Sequence, residues 1–288
     1  MLNAANWTAR LNELATEANV PGAALGIWSD GQEILAAHGV LNAATQVPVT
    51  TDSVFQVGSI TKLWTATMIM QLVDEGLLSL DTTVSEVLPG ARLGAADVGG
   101  QVTVRHLLTH TSGIDGDVFT DTGRGDDCVE RYVGLLAEVP SVFAPGATYS
   151  YCNSGYVLLG RIIEVIDGQS WDESLRERLT GPLAATQTVT LPEEAILRRA
   201  AVGHHRDGTP VHVWGPAAQR RAGRADHRHG RRPAHLRPPP SRRRYHRRRQ
   251  AAAQRGLGRG HAVGVRRDPR VLRAWFGHRA GLAPQPLG

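Results

Sequence analysis

The composition of the chain changes near residue 216, and this change limits how much of the chain has the apolar periodicity of a globular fold. Residues 1–215 alternate apolar runs with turn signals, whereas residues 216–288 are dominated by Arg, Pro and His without an apolar period. Residues 1–215 hold 12 basic and 25 acidic residues, a sum of −13, and residues 216–288 hold 20 and 2, a sum of +18. We therefore predict a globular domain over residues 1–215 and a separate basic segment over 216–288.

Three interpretations of the basic segment 216–288 remain open: a nucleic-acid-binding tail, a disordered linker, or a GC-rich gene read out of frame. We favour the third interpretation. When GC-rich codons are assigned to residues 223–240 and 254–265, dropping one base turns both stretches into helix-like sequences. The segment also contains no lysine, whereas a basic tail that binds nucleic acid usually mixes Lys with Arg. We accordingly do not expect nucleic acid as a partner.

Composition excludes several classes of protein. No run of about 18 apolar residues is present, which argues against a membrane-spanning helix and a membrane partner. The N-terminal stretch has the period of an amphipathic helix and lacks the features of a secretory signal. Cys128 and Cys152 are too few for a disulfide framework or a zinc site, and His204 and His205 have no spaced carboxylate or cysteine beside them. We expect a cytoplasmic protein without a metal or cofactor.

Local patterns predict the elements of residues 1–215. Asp30-Gly31 joins two apolar runs in a predicted hairpin, and a second hairpin is predicted around Asp207-Gly208. A helix is predicted from Ser59 to Glu75, with Gly76 ending it. Four further helices are predicted within TVRHLLTHTSGI, DDCVERYVGLLAEV, SGYVLLGRIIEVI and SWDESLRERLTGPL. The mixture predicts an α+β protein.

Ser59 and Lys62 form the first candidate catalytic pair. At positions i and i+3 they share one face of the predicted helix, and Lys62 is the only lysine among the 288 residues. A neutral lysine amine can take the proton of a serine hydroxyl and so make it a nucleophile, which arginine cannot do. The alternative is an N-cap serine beside a solvent-exposed lysine. The apolar residues that follow favour the catalytic interpretation, because burial favours a neutral amine; those expected to be buried are Leu63, Ala66, Met70 and Leu72.

Tyr151-Cys152-Asn153 supplies the second candidate set. It directly precedes a predicted helix, where Asn153 or Ser154 is expected to act as the N-cap. A tyrosine here can shuttle a proton between a nucleophile and a leaving group, and the Asn153 amide can bind a substrate carbonyl. The alternative is a cap with a packing tyrosine. Tyr149 is the weaker candidate for the tyrosine, because Tyr151 rather than an asparagine stands two residues after it.

Three stretches together resemble one superfamily, the serine β-lactamases and penicillin-binding proteins, in the branch of class C β-lactamases, family VIII esterases and D-aminopeptidase-like hydrolases. They are VFQVGSITKLWTATMIMQLVDEGLLSLDTTVSEVLPG, VTVRHLLTHTSGI and FAPGATYSYCNSGYVLLGRIIEVI. The resemblance implies a β-lactamase-like α+β fold, with an antiparallel sheet flanked by helices and a helical subdomain. It implies that Ser59 is acylated, Lys62 activates it, Tyr151 relays protons and Asn153 positions an ester or amide substrate. His110, in His-Thr-Ser-Gly, is by the same resemblance a structural connector rather than the base of a serine triad.

One family feature is missing from the sequence. The resemblance implies a third motif, Lys/His-x-Gly or Trp-x-Gly, on a later strand, and no convincing K-T-G, H-T-G or W-G-G occurs. The fold is therefore expected to be incomplete at its C-terminal end, in keeping with a frame lost near residue 216. A catalytically inactive, truncated homologue and a binding protein with an Arg-rich tail remain the alternatives to an active serine hydrolase.

Overall fold

The computed structural model describes residues 3–94 and 96–211, which form two compact units. One unit combines residues up to Gln56 with the described residues from Leu183 onward, and the other spans Val57–Pro182. The predicted boundary at 215/216 and the whole basic segment lie outside the described residues. Among the helices that are described, none is both long enough and apolar enough to cross a membrane.

The first unit is built on a β-hairpin. Strands β1 (Gly22–Ser29) and β2 (Gln32–Gly39) pair antiparallel, in register from Gly22 opposite Gly39 to Ser29 opposite Gln32. Asp30 and Gly31 both have positive φ, as the short predicted turn requires. Helix α1 (Ala4–Glu17) packs against β2. The hairpin and the N-terminal amphipathic helix are thus confirmed.

The second unit is helical. Its helices are α2 (Thr61–Asp74), α3 (Val84–Val87), α4 (Val104–Leu108), α5 (Cys128–Leu135), α6 (Asn153–Asp167) and α7 (Trp171–Leu175). Helix α6 supplies the centre of the core, where Leu158, Leu159, Ile162 and Ile163 are fully buried. Helices α2, α4 and α5 each pack against α6. Every helix predicted between residues 59 and 182 is present, although α4 and α7 are short.

Helix α2 differs from its prediction in two respects. Its first turn is a separate 3-10 helix (Gly58–Ile60), and the α-helix itself ends at Asp74, followed by Gly76 at a φ of 69°. Leu72 is buried as expected, but Leu63 and Met70 are 68% and 45% exposed, so their predicted burial is wrong. This helix is apolar on most of its circumference, and sequence period alone does not select the face that packs.

The described part of the second predicted hairpin is a turn with paired arms. Asp207-Gly208 forms the turn, with Gly208 at a φ of 82°, His204 bridges to Pro210, and the Val211 N–H donates to Gly203 O at 2.8 Å. The end of its second arm, residues 212–214, lies outside the described residues. The last helix within the described residues is α8 (Pro192–Ala195). A parallel bridge between Val54 and Ala200 connects the segment after α8 to the segment that ends at Gln56, within the first unit.

Candidate active site

Ser59 and Lys62 meet at the start of α2. The 3-10 turn carries Ser59 and the first α-helical turn carries Lys62, so that Lys62 Nζ lies 3.2 Å from Ser59 Oγ. Ser59 is exposed to solvent, while Lys62 is half-buried. The separation is short enough for direct proton transfer between the hydroxyl and a neutral amine. The predicted pair therefore exists as a contact as well as a spacing in sequence.

The Tyr-Cys-Asn loop places Tyr151 and Asn153 beside Lys62, although Asn153 lies 91 positions after Lys62 in the chain. Lys62 Nζ donates a hydrogen bond of 2.8 Å to Asn153 Oδ1, and lies 4.8 Å from the ring centroid of Tyr151. The predicted cap at Asn153 or Ser154 is wrong. Cys152 is the N-cap of α6, and its Sγ accepts the Gly155 N–H at 3.2 Å. Because Cys152 caps the helix, the Asn153 side chain is not used for capping and is directed at Lys62.

The charge on Lys62 acts on its aromatic neighbours. Hydrogen bonds between the Tyr151 hydroxyl and the side chains of Lys62 and Ser59, and then the charge on Lys62, hold the pKa of Tyr151 below its usual range. A lowered pKa makes the phenol a better partner for proton exchange near neutral pH. Lys62 Nζ also lies 5.6 Å from the ring centroid of Tyr156, so it faces two aromatic rings.

His110 contacts the site through Tyr151. The His110 ring is 4.5 Å from the Tyr151 ring and 5.1 Å from the Tyr156 ring, centroid to centroid. Its Nδ1 accepts the Cys152 N–H at 3.0 Å, and burial followed by repulsion from Lys62 lowers the pKa of His110. A neutral imidazole that accepts a backbone N–H and packs on a tyrosine fits the predicted connector better than a triad base. The Tyr149 ring lies 5.9 Å from the His110 ring in a T-shaped arrangement, and Tyr149 is 65% exposed.

Two residues that sequence inspection missed complete the surroundings of Asn153. Asp117 Oδ1 accepts a hydrogen bond of 3.1 Å from Asn153 Nδ2. The preceding carbonyl, that of Gly116, accepts the backbone N–H groups of Asn153 and Ser154, each at 3.2 Å. A Cβ at Gly116 would lie 2.5 Å from Cys152 Cα, so only glycine permits this approach. No local pattern marks either residue, because their contacts are with a distant loop.

Cys152 adds no reactive thiol to this arrangement. Burial raises the pKa of the Cys152 thiol, and its sulfur accepts hydrogen bonds from the Gly155 N–H and from the Ser112 hydroxyl at 3.8 Å.

Within residues 3–94 and 96–211, no group of three or more His, Cys, Asp or Glu side chains is arranged to hold a metal ion.

Comparison with known proteins assigns the family. The model of the family described as Beta-lactamase matches residues 7–286. The chain belongs to the beta-lactamase family. Among curated relatives, it is 52% identical over 214 residues to penicillin-binding protein 4 of Amycolatopsis lactamdurans, a match that covers 73% of this chain and 56% of the relative.

Solved structures agree with this family and with the predicted β-lactamase-like fold. A class C beta-lactamase in complex with cefoxitin superposes with a TM-score of 0.62 and 25% identity, over 75% of this chain and 58% of that chain. The D-amino acid amidase of Ochrobactrum anthropi SV3, complexed with L-phenylalanine amide, gives a TM-score of 0.59 and 27% identity, over 73% and 61%. The match of this beta-lactamase-family chain thus covers 56%, 58% and 61% of the length of these three proteins.

Proposed function

We propose that this beta-lactamase-family protein is a serine hydrolase that cleaves a small ester or amide through an acyl intermediate on Ser59. The observation that carries the proposal is the 3.2 Å contact between Ser59 Oγ and Lys62 Nζ, with Tyr151 and Asn153 beside it. An exposed hydroxyl next to the only lysine of the chain matches the pairing that an activated serine needs.

The proposed reaction has two halves. Neutral Lys62 takes the Ser59 proton as Oγ attacks the substrate carbonyl carbon, and the resulting tetrahedral intermediate collapses to the acyl-enzyme as the alcohol or amine leaves. Tyr151 passes the proton from Lys62 to that leaving group. A water molecule then attacks the acyl carbon and gives up a proton through the same groups. The bond from that carbon to Ser59 Oγ breaks, the acyl group leaves as a carboxylic acid, and Oγ takes the proton that restores the hydroxyl. These steps use the described side chains and water.

Asn153 is proposed to hold the substrate. Its Oδ1 faces Lys62, and one N–H of its amide is donated to Asp117. The second N–H of the same amide group is proposed to bind the substrate carbonyl. Ser59 lies in the first turn before α2, where backbone N–H groups have no partner inside the helix, and its N–H is proposed as one donor to the oxyanion.

Covalent labelling tests the nucleophile. A fluorophosphonate is expected to modify Ser59, identified by peptide mass spectrometry, and the protein is expected to hydrolyse p-nitrophenyl acetate. Ser59→Ala should abolish both, whereas Ser29→Ala, at the end of strand β1, should change neither. Lys62→Arg keeps the charge but cannot supply a neutral amine, so we expect a rate loss of at least about 100-fold. Unlabelled wild-type protein would instead identify an inactive homologue.

Substrate class is tested by varying the leaving group. An amine must be protonated to leave, whereas p-nitrophenolate leaves without a proton. We therefore expect Tyr151→Phe to reduce hydrolysis of D-phenylalanine amide or of a chromogenic cephalosporin more than hydrolysis of p-nitrophenyl acetate. Equal losses with all three substrates would contradict the proton relay through Tyr151.

A further inference from the structure

We infer that Asp117 is a positioning residue that sets the orientation of the Asn153 amide, an inference that rests on the proposed function of Ser59, Lys62 and Asn153. The juxtaposition is direct: the Asn153 amide lies between Lys62 Nζ, 2.8 Å from its oxygen, and Asp117 Oδ1, 3.1 Å from its nitrogen. The sequence around Asp117 contains no pattern that predicts this contact.

The chemistry of the two neighbours allows only one orientation of the amide. An asparagine side chain has nearly the same shape after its oxygen and nitrogen are exchanged, so hydrogen-bond partners decide between the two orientations. A lysine ammonium can only donate, and a carboxylate can only accept. Exchanging the two ends of Asn153 would place an NH2 group against Lys62 and an oxygen against Asp117, and both contacts would become repulsive.

Asp117 becomes decisive in the state that activates the serine. A neutral lysine amine has a lone pair and can accept as well as donate, so neutral Lys62 no longer selects which end of Asn153 faces it. The Asp117 carboxylate is still an acceptor only. During proton transfer from Ser59, the orientation of the amide is therefore set from the Asp117 side, which keeps the nitrogen of Asn153 on the side assigned to the substrate carbonyl.

The loop that carries Asp117 is anchored to the start of α6, where Asn153 lies. Gly116 O accepts the backbone N–H groups of Asn153 and Ser154, each at 3.2 Å. The Asp117 N–H in turn donates to Asp115 Oδ1 at 3.3 Å. Although Asp117 is exposed, the peptide unit that joins Gly116 to Asp117 is thus bonded at both its C=O and its N–H, which limits the freedom of a carboxylate that must act at one fixed point.

Activity measurements on three variants test the inference. Asp117→Ala removes the acceptor and should lower kcat/KM by about tenfold, as expected for loss of a hydrogen bond to a charged group. Asp117→Asn keeps an acceptor but can also donate, so a smaller loss of about threefold is expected. Asp115→Asn removes the same charge from the same loop while keeping an oxygen for the Asp117 N–H, and should stay within about twofold of wild type. Equal losses in Asp117→Ala and Asp115→Asn would overturn the assignment.

A double-mutant cycle separates positioning from a general structural role. If Asp117 acts through Asn153, adding Asp117→Ala to Asn153→Ala should cause little further loss, about twofold at most. A second full tenfold loss in the Asn153→Ala background would show that Asp117 acts elsewhere. Circular dichroism of each variant checks that the helical unit is folded.

Nuclear magnetic resonance gives a readout that does not depend on activity. The chain has six asparagines, so asparagine-specific ¹⁵N labelling gives few side-chain amide pairs, and Asn153→Ala identifies the pair from Asn153. We expect the Asn153 amide shifts in Asp117→Ala to differ clearly from those of wild type, and those in Asp115→Asn to stay close to wild type. Asn153 shifts in Asp117→Ala that match those of wild type would refute the contact. If wild type neither reacts with a fluorophosphonate nor hydrolyses a substrate, the proposed function fails while this measurement still decides the contact.

Discussion

Replacing Gly116 with alanine should damage the site without touching any proposed catalytic side chain. The new Cβ would lie 2.5 Å from Cys152 Cα, 2.9 Å from Tyr151 O and 3.1 Å from Asn153 N. All three are backbone atoms, so the clash cannot be relieved by rotating a side chain. Ordinary carbon–carbon contact is about 3.5–4.0 Å, and the two backbone segments must therefore separate by about 1 Å.

The size of the effect follows from that displacement. Overpacking of this kind typically costs about 1–3 kcal/mol of stability. A shift of about 1 Å in a catalytic group can lower the rate by about 100-fold, and here Tyr151 and Asn153 would both move relative to Lys62. We expect Gly116→Ala to lose about 100-fold in kcat/KM for p-nitrophenyl acetate, with fluorophosphonate labelling of Ser59 slowed in parallel.

Gly134 provides the matched control. It lies on the exposed side of α5, and a Cβ there would have no atom within 4 Å, so alanine adds no clash. Gly134→Ala should be as active as wild type and equally stable or more stable, by up to about 1 kcal/mol, in denaturant unfolding. Wild-type activity and stability in Gly116→Ala would show that the two segments are not in the close contact described, and the reasoning would fail.

Two further predictions concern charge. Because Lys62 and Ser59 lower the pKa of Tyr151, Lys62→Met should raise that pKa and move tyrosinate formation to higher pH. Ultraviolet titration of Lys62→Met, compared with Lys62→Met/Tyr151→Phe, isolates the signal of this tyrosine. A titration midpoint unchanged from that of wild type would contradict the assigned cause. In the helical unit, the side chains of Arg178 and Asp167 form an ion pair and are only 7% and 1% exposed. Arg178→Met should therefore lower the free energy of unfolding by about 3–5 kcal/mol, whereas a loss below about 1 kcal/mol would show that Asp167 needs no cationic partner.

The elements that sequence reasoning predicted well are those with local signals. Asp30-Gly31 predicted the hairpin because few residues other than Gly, Asn and Asp adopt positive φ readily, and both positions do so here. Gly76, at a φ of 69°, ends the segment that contains α2 for the same reason. The apolar period of α6 likewise predicted a helix that the structure places at the centre of the core.

Burial on α2 was predicted poorly for a physical reason. Leu63 and Met70 were expected to be buried together with Leu72, but both are exposed. A helix that is apolar on most sides can bury any of several faces, and the choice depends on which elements pack against it. The cap of α6 failed similarly, since Asn153 is a good capping residue by type but Cys152 occupies that position.

The sequence by itself determined the relation between Ser59 and Lys62, because three residues in a helical turn place two side chains on one face whatever surrounds them. Only the tertiary structure decided what meets that pair. Asn153 reaches Lys62 across 91 positions, and Asp117 reaches Asn153 across 36. Those contacts depend on how α2 and α6 pack and on a glycine that lets the Gly116 loop touch the backbone before α6. Such long-range geometry leaves no periodic trace in the chain.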